Sequence, residues 1–75
     1  MKYFVVFEWA GTNWSAYAPD VPGCVATGVT KEEVRRMMRE ALEFHFEGMR
    51  EDGDQIPEPS GVWAEELEVE VPATA

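Results

Sequence analysis

Few side chains in this sequence could perform acid, base or nucleophilic chemistry. It contains one histidine, His45, and one cysteine, Cys24. His45 falls on the apolar stripe of a predicted helix, which favours a half-buried structural imidazole over a general base. Cys24 has no basic neighbour in sequence to lower its pKa, which favours a small buried side chain over a nucleophile. The sequence also lacks a nucleophile elbow, a phosphate-binding glycine loop and a zinc-type Cys/His cluster. We therefore expect no enzyme activity, no cofactor and no metal.

Acidic residues dominate the composition. Fifteen Asp and Glu stand against six Lys and Arg, and the formal net charge is −9. Such a chain is repelled by phosphate backbones and attracted to basic surfaces. The charge argues against direct nucleic-acid binding and indicates a basic protein as the partner. The alternative is that the acidity only keeps the protein in solution.

Two groups of carboxylates are candidate partner-binding residues. One group follows the predicted helix and the other alternates along the predicted last strand, where side chains on one face lie about 7 Å apart. The six residues are Glu51, Asp52, Asp54, Glu66, Glu68 and Glu70. A solvated strand face is the alternative, and a hard-cation site is disfavoured because its ligands usually come from several segments. If these carboxylates formed a rim that faces a partner, they would raise the association rate more than the affinity.

The elements that must position these residues follow from the hydrophobic pattern. Aromatic and β-branched runs predict three strands, at residues 3–9, 14–18 and 24–28. A long helix follows, and residues 63–71 alternate between apolar and acidic side chains as a final strand should. The predicted fold is α+β with the order β-β-β-α-β, an antiparallel sheet with one helix packed on one face.

The ends of the predicted helix are marked by capping residues. Thr30 is a suitable N-cap, and Glu33 can reach back to the Thr30 amide to complete a capping box. Gly53 is suited to the left-handed conformation that ends many helices. The helix is therefore predicted to run from just after Thr30 to just before Gly53.

The chain length predicts one domain, residues 1–75, with an ordered core at about residues 2–71. A core this small has little stability to spare, and one cysteine cannot form an internal disulfide. Three Trp, two Tyr and four Phe are more rings than such a core can bury. We therefore expect a homodimer or a tetramer. The start of the sequence has neither a signal peptide nor a membrane span, which predicts a cytoplasmic protein.

Several motifs in sequence order resemble the HicB-like antitoxin family. They are the string Pro19-Asp20-Val21-Pro22-Gly23-Cys24, the capped helix, and the string Ile56-Pro57-Glu58-Pro59-Ser60. The resemblance extends from about Lys2 to Val71 and implies a partial RNase H-like fold. It also implies a set of mainly structural signature residues: Pro19, Asp20, Pro22, Gly23, Cys24, Gly28, Thr30, Glu33, Gly53, Pro57 and Pro59.

The resemblance further implies the antitoxin half of a type II toxin–antitoxin pair. In that family the partner is a small basic ribonuclease of the HicA type, which the antitoxin inhibits by covering its active and RNA-binding surfaces. Full-length members usually carry a C-terminal ribbon-helix-helix or helix-turn-helix module that binds the operator. The sequence stops at Ala75 without a basic helix, so we expect no C-terminal DNA-binding domain and no direct DNA binding by this chain. The alternative is a solitary homo-oligomeric RNase H-like domain that binds RNA or a small ligand without a toxin partner.

Overall fold

A computed structural model describes residues 1–73. It contains the strands β1 (Val6–Trp9), β2 (Trp14–Tyr17) and β3 (Val25–Gly28), followed by the helix α1 (Lys31–Glu51). The strands form one antiparallel sheet in the order β1-β2-β3. The predicted α+β class, with three antiparallel strands followed by one helix, is confirmed.

The strand register decides which side chains face the helix. Ala16 of β2 lies opposite Phe7 of β1 and Ala26 of β3, and Ala16 is buried. Since side chains alternate along a strand, these three positions share the helix-facing side of the sheet. The neighbouring positions form the outer face: Val6, Tyr17 and Val25.

The core is small and lies between β2, β3 and α1. Its buried members are Ala16, Ala18, Val21, Cys24, Val34 and Met38. Among the described residues, α1 packs against β2 and β3 but not against β1. The helix-facing side of β1 is therefore only partly covered, and Phe7 is 41% exposed.

Both ends of α1 are capped. The Thr30 hydroxyl accepts a hydrogen bond from the Glu33 amide at 3.0 Å, as predicted. The Glu33 carboxylate accepts from the amide of Val29 at 3.0 Å, one residue before the predicted donor. At the other end Gly53 has a φ of +76°, and the Asp54 amide donates to a carbonyl of the last turn at 2.8 Å. Within residues 1–73, no helix combines the length and apolarity that a membrane crossing needs.

The predicted fourth strand does not form within the single chain. Residues 61–73, which we call the arm, have no regular secondary structure, and all of them are exposed. The radius of gyration is 15.8 Å, against about 11 Å for a compact chain of this length. A strand needs a neighbour for its backbone hydrogen bonds, and within residues 1–73 the arm is paired with none of the three strands.

Candidate protein-binding surface

The two residues suited to covalent or proton-transfer chemistry have structural environments. His45 is half-buried, as predicted, and its ring packs edge-on against Phe46 with 6.3 Å between centroids. Cys24 is 4% exposed and belongs to the core. Burial raises the pKa of the Cys24 thiol, so it stays protonated at neutral pH. The Cys24 thiol is therefore a poor nucleophile at neutral pH.

Hydrogen bonds with Tyr3 and Asp20 hold the connector between α1 and the arm, residues 54–60, and we call this set of contacts the clasp. Asp20 accepts two hydrogen bonds from Ser60, one from its amide at 2.9 Å and one from its hydroxyl at 2.6 Å. The Ser60 hydroxyl, and then the Ser60 amide, lower the pKa of Asp20. The Tyr3 hydroxyl donates to the carbonyl of Pro57 at 2.6 Å. These bonds fix the point from which the arm departs.

The candidate partner-binding carboxylates lie at two exposed places. Glu51 is the last residue of α1, and Asp52 and Asp54 follow it in the C-terminal cap. The second group lies along the arm: Glu66, Glu68 and Glu70. No group of three or more ligand-type side chains within residues 1–73 is arranged to hold a metal ion. All six are accessible to a partner protein, and whether they bind one remains a prediction.

Large apolar side chains are also unusually exposed. Phe44 on the solvent side of α1 is 84% exposed, and Trp63 on the arm is 70% exposed. Phe44 lies beside the apolar stripe of α1, but it does not belong to the core. Trp9 packs on Trp14 at 5.3 Å between ring centroids, yet it remains about half exposed. Exposed rings of this kind are typical of surfaces that bind other proteins.

An open groove runs beside the uncovered part of β1. It has a volume of about 930 Å³ and is lined mainly by apolar side chains of residues 1–7, the middle of α1 and the start of the arm. Two arginines one helical turn apart, Arg35 and Arg39, lie on its helical wall, and Asp20 and Glu43 also line it. An apolar groove with cationic groups is suited to an amphipathic segment that carries acidic side chains.

Comparison with known proteins identifies the family. A family model described as HicB-like antitoxin of bacterial toxin–antitoxin systems matches residues 3–71. The chain belongs to the HicB-like antitoxin family. The predicted family membership is therefore confirmed, and the match includes the segment that forms the arm.

Two relatives support the assignment. The chain is 40% identical over 74 residues to Antitoxin HicB 2 of Photorhabdus laumondii, which covers 99% of this chain and 52% of that protein. It is 36% identical over 62 residues to an uncharacterized 14.9 kDa protein from the rep–hol intergenic region of Haemophilus phage HP1, which covers 83% of this chain and 47% of that protein. The chain thus spans about half the length of these relatives. No solved structure matches it, so the RNase H-like comparison remains a prediction.

The structure explains several of the family signature residues. Gly23 has a φ of +84°, which allows the loop before β3 to turn sharply. A Cβ on Gly28 would lie 2.6 Å from the backbone nitrogen of Val34, so a glycine lets β3 and the start of α1 approach closely. Asp20 is explained by its bond to Ser60, a contact that the sequence did not predict. The groove arginines were also missed, although their four-residue spacing on a helix was a usable signal.

Proposed function

We propose that this chain is an antitoxin module that binds and neutralises a small basic ribonuclease of the HicA type. It would cover the toxin's active site and its RNA-binding surface. The observation that carries the proposal is an excess of exposed carboxylates, with a net charge of −9, in a member of an antitoxin family. An acidic surface competes with RNA for a basic site because both present negative charge to the same cations.

In this proposal the two groups of acidic residues differ in their structural support. Glu51 and Asp52 are held on a capped helix end, whereas Glu66, Glu68 and Glu70 lie on the projecting arm. An extended acidic segment without regular secondary structure can wrap a basic surface at the expense of ordering entropy. We therefore expect the arm acids to act chiefly on the association rate.

The direct test requires a small basic ribonuclease of the HicA type as the partner. Its RNA-cleavage activity is measured alone and with a stoichiometric excess of this chain. We expect cleavage to be suppressed and the two proteins to co-purify. Unchanged cleavage in the presence of excess chain would refute neutralisation.

A charge-neutralised variant tests the role of the arm. The variant E66Q/E68Q/E70Q changes the net charge from −9 to −6. We expect its association rate with the toxin to fall roughly tenfold at low salt, and the difference to shrink as salt is added. The matched control is E8Q/E40Q/E58Q, which makes the same change in net charge at other exposed sites. Equal losses in both variants would show that only net charge matters.

The alternative function, a solitary domain that binds RNA or a small ligand, is favoured by one observation, the groove beside β1 with Arg35 and Arg39 on its wall. A short single-stranded RNA labelled with a fluorophore tests it directly. Because acidic groups outnumber basic ones in the chain, we expect no saturable binding at physiological salt. Saturable binding that R35E/R39E abolishes would favour this alternative over the antitoxin function.

A further inference from the structure

We propose that the solvent face of the last two turns of α1 is the surface that holds a basic partner protein in place. Phe44 is the side chain that enters an apolar pocket of the partner, and Gly48, one turn further along, lets the partner approach the helix backbone. The inference rests on the proposed function, since the partner is the HicA-type ribonuclease. It names the surface that sets the lifetime of that complex, whereas the arm acids act on its rate of formation.

The position of this face follows from helix geometry. Successive residues of an α-helix are rotated by about 100°, so Phe44, Gly48 and Glu51 lie within about 60° of one another. By the same geometry Phe44 lies about 120° from the buried Met38. The face is therefore turned away from the core and from the sheet. Phe44 is 84% exposed, and Glu51 is exposed as well.

The exposed ring of Phe44 is the apolar centre of the surface. The ring–ring contacts within residues 1–73 do not include it, and it does not pack against the core cluster. An aromatic side chain contributes strongly to binding when a partner removes it from water. Aromatic rings are also enriched at the centres of protein interfaces. Phe44 therefore has the properties of an interface anchor and no role within the single chain.

Gly48 has no explanation in the packing of the chain itself. A Cβ at this position would meet nothing within 4 Å, and the residue does not have a positive φ. A glycine inside a helix lowers its stability relative to alanine. Its effect is to leave a gap in the side-chain surface beside Phe44, where another molecule can approach the helix backbone closely. A partner that contacts Phe44 would use this gap.

The charges around this face select the kind of partner. Glu51, Asp52 and Asp54 are exposed, and the one ion pair within 4.0 Å in residues 1–73 joins Arg50 to Glu47. Acids at the C-terminal end of a helix oppose its dipole, so they do not stabilise α1. A second copy would present the same acids and be repelled, and RNA would be repelled for the same reason. A basic protein is the occupant that these charges attract.

Three choices that are unfavourable for the isolated domain thus coincide in one short segment. They are an exposed aromatic ring at Phe44, a helical glycine at Gly48, and acidic residues at the helix C-terminus. Local choices that conflict with the fold are expected at functional sites. Their coincidence on one face indicates a docking surface with an apolar centre and an acidic border.

Binding kinetics of the full chain on an immobilised ribonuclease of the HicA type test the proposal. We expect Phe44→Ala to raise the dissociation rate at least about 30-fold, as for an interface hot spot, and to leave the association rate within about threefold. The matched control is Val29→Ala, which truncates another exposed apolar side chain, 69% exposed, in the loop before α1. It should leave both rates within about twofold.

Gly48→Gln separates binding from folding. Gln has a higher helix propensity than Gly, and the new side chain meets open space, so the midpoint of urea unfolding should not fall. The same side chain would fill the gap beside Phe44 and should raise the dissociation constant at least about tenfold. A variant that is no less stable and yet binds more weakly cannot be explained by unfolding.

The outcomes distinguish this surface from the proposed function. If the wild-type chain suppresses RNA cleavage and both Phe44→Ala and Gly48→Gln bind as tightly as it does, the surface is assigned wrongly and the antitoxin function stands. If the wild-type chain does not bind the ribonuclease, both proposals fail. If Phe44→Ala changes only the sedimentation of the chain and leaves ribonuclease binding intact, the face contacts another copy and the proposal is overturned.

Discussion

The close approach of Gly28 to the backbone of Val34 gives the sharpest prediction for stability. In Gly28→Ala the new Cβ would lie 2.6 Å from the backbone nitrogen of Val34 and 2.9 Å from its Cα, whereas ordinary contacts begin near 3.4 Å. Because both atoms belong to the backbone, β3 and the start of α1 must separate by about 0.8 Å at this point. Overpacking of this kind costs about 1–3 kcal/mol. A domain of this size has only about 4–11 kcal/mol of total stability, so the loss would be a large fraction of it.

Urea unfolding followed by far-UV circular dichroism measures the effect. With a slope near 1 kcal/mol per molar, Gly28→Ala should lower the midpoint by about 1–3 M without a change in slope. The matched control is Gly48→Ala, which makes the same chemical change inside α1, where the new Cβ meets nothing within 4 Å. It should stabilise the protein by about 0.5–1 kcal/mol. Protein concentration is held constant, because association would shift both midpoints. A Gly28→Ala midpoint within about 0.3 M of wild type would refute the reasoning, since it would mean that strand and helix separate at little cost.

Three further predictions follow from single contacts. Met38 is 1% exposed, and Met38→Ala should lower the free energy of unfolding by about 2–5 kcal/mol in the same assay. A loss under about 1 kcal/mol would mean that the small core collapses to fill the cavity. Thr30→Ala removes the acceptor for the Glu33 amide and should lower stability by about 1 kcal/mol, with Thr30→Ser as the control that keeps the hydroxyl. Ser60→Ala should raise the pKa of Asp20 in an NMR titration of its carboxyl carbon, because the hydroxyl is the larger cause of its depression. The hydrogen bonds between Asp20 and Ser60 therefore stabilise the fold at pH values above the pKa of an unfolded Asp, about 3.9. This contribution is lost as the pH falls through the lower pKa of Asp20 in the folded protein. An unchanged Asp20 pKa in the Ser60→Ala variant would contradict the hydrogen bond.

The features that could be predicted from the sequence depend on near neighbours in the chain. The strands and their alternation, the Thr30 cap and the Gly53 terminus are determined by residues within a few positions of one another. The same is true of the half-buried His45 and the buried Cys24, since each follows from its place in a local pattern. Family membership was also readable, because the signature strings occur in order along most of the chain.

The features that were missed depend on contacts between distant segments. Asp20 and Ser60 are forty residues apart in sequence, and nothing local indicates that they meet. Phe44 lies beside the apolar stripe of α1, but a sheet of three short strands is too narrow to cover it. The contact between Gly28 and Val34 depends on the angle between β3 and α1, which the hydrophobic pattern of the sequence does not specify.

The predicted fourth strand is instructive because an alternating pattern does not specify a partner strand. Alternation shows that a segment has two chemically different faces, but it does not say which sheet that segment joins. In the single chain the arm joins none, and its two faces are free for different partners. If the apolar side chains at odd positions of the arm met a second copy, the glutamates at even positions would face outward and be available to a basic toxin. The apolar residues are Trp63, Leu67, Val69 and Val71, and the glutamates are Glu66, Glu68 and Glu70. Assembly and toxin binding would then respond to substitutions at alternate positions of one short segment. If substitutions in both rows affected both properties equally, the arm would instead act as a single undivided binding sequence.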